Sequence, residues 1–200
     1  IRVPCVVHWP AELPTSEQMF HVKHSAGSGA GLPDVTHFCD WLPTLLEVAG
    51  TEPPADLALD GRSLLPALRG ERPHGATRHI WQWNRYEPVM RCNAALRDGP
   101  WKLYLPPIPE AMEKVAGDNR LTRELAEMPD DPGALWTDEP VNRELSEPRA
   151  PRLFNLTDDP SERNDLAKAD PRRTERMLGE YTRWFGELER DRRSHSPPTR

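Results

Sequence analysis

The side chains best equipped for chemistry lie far apart along the chain. Trp81, Trp83, Asn84, Arg85 and Tyr86 combine aromatic rings with an amide and a guanidinium. In an extended segment Trp81 and Trp83 share one face. That face serves either as a platform for a sugar or aromatic ring, with Arg85 meeting an anionic group, or as packing between a sheet and a helix. Large aromatics serve packing more often. Lys102 alternates with Trp101. It faces either the anionic end of a ligand or, on an edge strand, solvent. His21 and His24 stand three apart beside Lys23. On a helix the two could share a metal ion, but no third ligand is near, so they read as loop histidines.

Cys5, Cys39 and Cys92 are an odd number and widely spaced. They show no zinc spacing and read as buried free thiols. Asp158 and Asp159 form an acidic pair, but Pro160 follows, and the pair reads as a solvated turn.

These residues need elements to hold them. Val3 to Trp9 is a β-branched run closed by Pro10, which predicts a buried strand, and Val35 to Phe38 suggests a second. A helix should follow, with Asp40 as N-cap, Pro43 in its first turn and Gly50 as its stop. Leu42, Leu45, Leu46 and Ala49 give it a stripe spaced for burial. Ser63 to Gly70 repeats that grammar in miniature. From His79 the period changes to two. Strands are expected at 79–83, 92–97, 101–105 and 152–156, with Asp98-Gly99 as a hairpin signal. Residues 106–151 form a polar, proline-containing insert expected on the surface, with 120–128 a possible helix. Asp170-Pro171 caps a last helix, whose stripe of Met177, Leu178, Tyr181, Trp184, Phe185 and Leu188 should cover the sheet. Its Arg- and Glu-rich side is a solvated face with i,i+4 ion pairs. Residues 191–200 are charged and expected to be disordered.

Only 36% of the 200 residues are hydrophobic, and 23 are proline. That is little apolar material for a self-sufficient core, and the apolar start at Ile1 reads as a cut inside a longer polypeptide. A net charge of -6 argues against a general nucleic-acid binder. No apolar run is long enough to span a membrane. The compartment stays open.

Several phrases, in order, resemble the sulfatase family of the alkaline-phosphatase-like superfamily. They are Arg2-Val-Pro4 with His8-Trp-Pro10, Asp40-Trp-Leu-Pro-Thr-Leu-Leu46, Asp60-Gly-Arg-Ser-Leu-Leu-Pro66, Ala95-Leu-Arg-Asp-Gly-Pro-Trp-Lys-Leu103, and Leu153-Phe-Asn-Leu-Thr-Asp-Asp-Pro-Ser-Glu162. Together they cover most of the chain outside the insert, and they resemble the C-terminal portion of such an enzyme. The resemblance implies an α/β fold in two pieces. Residues 1–76 would be the end of a large catalytic domain, and 77–190 an antiparallel sheet packed on one long helix. It also implies a parent enzyme that hydrolyses sulfate esters with a formylglycine nucleophile and a calcium ion.

The family makes that formylglycine from a Cys/Ser-x-Pro-x-Arg motif. None of the three cysteines begins one. Ser196-x-Pro-x-Arg200 matches formally but lies in the tail, where a nucleophile would not be held rigidly. The family's metal ligands belong upstream of Ile1, so no catalytic residue and no metal ligand is assigned here, and the chain alone is expected to be inactive. Trp83, Arg85, Tyr86, Lys102, His21 and His24 are the substrate-contact candidates, the histidines because loops there rim the pocket in related enzymes. The expected partners are the missing catalytic part and a sulfated small molecule or glycan. Two alternatives stand: a phosphodiesterase or phosphonate-ester hydrolase of the same superfamily, and a non-catalytic glycan-binding or assembly module.

Overall fold

The structure is a computed structural model describing residues 7–13, 35–71, 78–114 and 143–195. The chain divides into two compact units, Ile1–His79 and Ile80–Arg200.

In the first unit a 3-10 turn, Phe38–Asp40, leads into α1 (Trp41–Ala49), and α2 (Leu65–Leu68) follows. Neither early strand is present where it can be described. Val7 to Trp9 run into a turn in which the Trp9 carbonyl accepts from the N–H groups of Glu12 and Leu13; residues 3–6 lie outside the described residues. Val35 to Phe38 is diverted by local capping. The His37 ring accepts from the Cys39 N–H at 3.3 Å, and the Asp40 carboxylate accepts from the His37 N–H at 2.7 Å.

Asp40 therefore does not cap α1 with its side chain, as its position suggested. It is buried, and its carboxylate also accepts from the Arg62 N–H at 3.0 Å. Thr44, one turn on, donates to the Asp40 carbonyl at 2.5 Å and accepts from the Leu64 N–H at 2.8 Å. Gly61 lies so close to this turn that a Cβ on it would sit 2.0 Å from the Cys39 carbonyl oxygen. The phrases at 40–46 and 60–66 are thus joined backbone to side chain. Gly50, at φ 65°, ends α1, and the Thr51 N–H returns to the Leu46 carbonyl at 3.0 Å.

The expected burial of the α1 stripe fails. Leu42 and Leu45 are 48% and 58% exposed, Val48, Ala49 and Phe38 are also exposed, and only Leu46 is partly covered. The helix turns Thr44 toward the 60–64 loop, and no described residue covers the opposite stripe. α2 follows the sequence more closely. The Ser63 hydroxyl accepts from the Leu65 N–H at 3.2 Å, Pro66 sits in the first turn, and Gly70 ends it at φ 75°.

The sheet of the second unit, whose first strand begins two residues before the boundary, has β1 (Arg78–Gln82), β2 (Ala94–Asp98), β3 (Trp101–Leu105) and β4 (Arg152–Asn155) in that order, with β2–β3 and β3–β4 antiparallel. The Asp98↔Trp101 pair closes a two-residue loop of Gly99 and Pro100. Gly99 takes φ 56°, and proline cannot follow with a positive φ. This is the II′ pattern, not the I′ turn that an Asp-Gly pair signals.

A short α3 (Pro109–Met112) opens the insert. Ile108 and Ala111 are buried with Cys92, so the start of the insert is packed rather than an excursion over the surface. The helix expected at 120–128 lies outside the described residues. The last helix, α4 (Pro171–His195), lays Met177, Tyr181 and Phe185 on Leu96, Leu103, Leu105 and Leu153, as its stripe predicted. It also runs past residue 191, where disorder was expected. Glu189 pairs with Arg192 at 2.9 Å and with Arg193 at 3.6 Å, and pairs at i,i+3 and i,i+4 support its last turns. No helix among the described residues is long and apolar enough to cross a membrane.

Candidate functional site

The loop from β1 to β2 is held by its own side chains. Asn84 donates to the carbonyls of Arg85 and Glu87 at 2.9 and 2.6 Å and accepts from the Val89 N–H at 3.0 Å. The Asn93 amide donates to the Trp83 carbonyl at 2.7 Å. Tyr86, Arg91 and Asn93 all adopt left-handed backbone, at φ 61°, 61° and 46°. Such residues cost on the order of 1 kcal/mol each and persist only where their surroundings enforce them. This loop is therefore a fixed shape.

Facing it is the distal part of α4. Loop and helix enclose a cleft of about 320 Å³ whose walls include Trp83, Tyr86, Trp184, Leu188, Glu189 and Arg192. Beneath it, the Tyr181 hydroxyl donates to the Gln82 side-chain oxygen and accepts from the Arg91 N–H, both at 3.2 Å. Burial pushes the Tyr181 pKa up to about 12, so this phenol stays neutral. At the rim, Arg192 grips Glu189 with two bonds of 2.9 Å. That hydrogen bonding holds the Glu189 carboxyl below its ordinary pKa.

Of the residues singled out from sequence, Trp83 and Tyr86 line the cleft. Trp83 is 55% exposed. Trp81 is half-buried and does not line the cleft. Arg85 holds its guanidinium 5.6 Å from the Trp83 ring centre, and its Nε donates to the Met112 carbonyl at 3.0 Å. Arg143, which sequence reading passed over, lies 4.8 Å over the Tyr86 ring and donates to the carbonyls of Glu110 and Arg85. His21 and His24 lie outside the described residues.

Lys102 is elsewhere. It is on an inner strand, not an edge, and is only 9% exposed. Its ammonium donates to both oxygens of Glu162, at 2.7 and 2.6 Å. It does not face solvent as an edge-strand lysine would, and its ammonium is paired with Glu162.

The wall supplied by Trp184, Leu188, Glu189 and Arg192 was not found from sequence. A 25-residue helix is about 37 Å long, whereas a sheet of four short strands measures under about 20 Å either way. The overhang is a cue. Leu188 was assigned to the core stripe but is exposed along it.

The cleft sets aromatic rings beside a paired carboxylate and guanidinium. Burial, then the charges of Asp40 and Asp60, push the Cys39 thiol up, which is wrong for a nucleophile. Cys92 is buried and accepts from the Ile108 N–H at 3.3 Å. Among the described residues no three of His, Cys, Asp or Glu converge on a possible metal position.

No family model matches the chain. Mouse steryl-sulfatase is 30% identical over 178 residues, covering 88% of this chain and 24% of that protein. Human arylsulfatase D is 35% identical over 83 residues, 42% of this chain and 12% of that one. A solved structure from glycosaminoglycan metabolism by Bacteroides thetaiotaomicron aligns with a TM-score of 0.42 at 19% identity, over 74% of this chain and 24% of the other. The chain thus spans about a quarter or less of each of these three proteins.

Proposed function

Since this chain belongs to the sulfatase family, we propose that it is the C-terminal part of an enzyme that hydrolyses sulfate esters, closing the fold and shaping one wall of the substrate pocket. The observation that carries this reading is the extent of the match to mouse steryl-sulfatase, 178 residues spread over 88% of the chain. The exposed α1 stripe supports it. Covering a leucine or valine stabilises by about 1.5–3 kcal/mol, and in this reading the rest of the catalytic domain covers Leu42, Leu45 and Val48.

A formylglycine would supply the nucleophile and calcium would neutralise the sulfate oxygens. The described residues fit neither group. No metal-binding cluster forms among them, and neither Cys39 nor Cys92 begins the required motif. Both belong, in this reading, to the upstream part of the enzyme.

The test compares hydrolysis of 4-nitrophenyl sulfate by the 200-residue chain and by the same reading frame extended upstream in its source DNA. The expected result is no turnover by the chain alone and calcium-dependent turnover by the extended form. Turnover by the chain alone refutes the reading. Preference of the extended form for a phenylphosphonate ester would place it with the phosphonate hydrolases. Glycan binding with no hydrolysis in either form would make the chain a non-catalytic module.

A further inference from the structure

We propose that the cleft between the Trp83–Pro88 loop and the distal turns of α4 binds neutral carbohydrate, one or two pyranose rings stacked on Trp83 and Tyr86. The proposal does not rest on the hydrolase reading, because every wall of the cleft comes from residues 82–88 and 184–192 and no sulfate or metal takes part.

The cleft presents its rings to solvent on a held backbone. Trp83 is more than half exposed and Tyr86 is also exposed, in a loop whose backbone is fixed from within. The guanidinium groups of Arg85 and Arg143 stand 5.6 and 4.8 Å from the two ring centres. A flat π surface held in place meets a ligand ring at little entropic cost. Trp184, Phe185 and Leu188 continue the apolar lining on the other side.

The chemistry of the lining also selects the ligand. The lining is not purely apolar. The Glu189–Arg192 fork stands in it, beside the indoles of Trp83 and Trp184. A wholly apolar ligand would strip water from those groups and return nothing. A strongly anionic ligand would meet the Glu189 carboxylate, and Arg192 already feels both Glu189 and Glu87. A pyranose answers both requirements. Its C–H face stacks on the rings, while its hydroxyls accept from indole N–H and donate to carboxylate. At about 320 Å³ the cleft is at the small end of ligand sites, roughly 300–1,000 Å³, which limits it to one or two sugar rings.

The experiment follows indole ¹H–¹⁵N resonances and binding heat in the 200-residue chain titrated with cellobiose, lactose and N,N′-diacetylchitobiose. The expected result is saturable shifts of the Trp83 and Trp184 indoles with at least one sugar, insensitive to added salt. Trp83→Ala should weaken binding at least tenfold. Leu188→Arg, a change at an exposed position that fills the cleft and spares the core, should do the same. No saturable shift with any of the three sugars would overturn the proposal. So would binding that survives Leu188→Arg, tighter binding of 4-nitrophenol, or salt-sensitive preference for a sulfated disaccharide.

Discussion

Lys102 and Glu162 show how far one pair departs from what its residue types suggest. A lysine in a β-strand usually reaches solvent, but here the ammonium sits between both oxygens of a carboxylate that follows β4. Glu162 takes left-handed backbone, φ 55°, in the turn that places it. Removing one partner leaves a largely buried charge unmatched, which costs about 3 kcal/mol, whereas replacing both by apolar groups is nearly neutral. Glu162→Gln should therefore lower stability in urea titration by about 2–3 kcal/mol. Lys102→Met should be milder, and the double variant should recover most of the loss. Equal, additive losses would mean that the pair is not coupled. The residue types were plain in the sequence; their partnership was not, because it spans 60 positions. Gly61 is similar. Its phrase marked a turn, but only the fold shows that a methyl group there would collide with the Cys39 carbonyl. Gly61→Ala should cost more than about 3 kcal/mol, read as early loss of the 40–66 region in hydrogen exchange.

Helix α4 was the most legible element because its signals agree. Asp170 Oδ1 accepts from the Arg173 N–H at 3.0 Å, and the apolar residues recur at helical spacing beneath it. Its ends also titrate predictably. Hydrogen bonding to Arg173 lowers the Asp170 carboxyl, and hydrogen bonding to Arg192 lowers that of Glu189. A depressed carboxylate stabilises above its unfolded pKa and loses that contribution as pH falls through the folded one. The melting temperature should therefore fall with acid from about pH 4 downward, and Asp170→Asn should blunt the fall. Tyr181 works in the opposite sense. With its pKa raised to about 12 it stabilises fully below the unfolded value of about 10 and loses that contribution as pH rises between the two. Tyr181→Phe should remove this alkaline limb and cost about 1–3 kcal/mol, because the Arg91 N–H loses its acceptor. An unchanged alkaline limb would show that the phenol is not buried in solution. Helix α1 had equally clear ends, yet its stripe was misjudged, because periodicity says which side is apolar and not what covers it.

At the scale of the molecule, the sequence phrases identified the family, while the cleft emerged only from the fold. Its walls come from segments about 100 residues apart, and no local pattern joins them. The uncovered stripe of the first unit also has a bulk consequence. Leu42→Lys with Leu45→Lys should reduce dye binding and self-association of the chain while changing its stability by no more than about 0.5 kcal/mol. A larger loss would mean that these side chains are buried in solution. The stitching of that unit carries a kinetic consequence. The bonds from Asp40 to Arg62 and from Thr44 to Leu64 span only 22 and 20 residues. Closing so short a loop costs little chain entropy, and short-range contacts form fast. This region is thus placed to acquire its shape early, with its apolar stripe still facing outward.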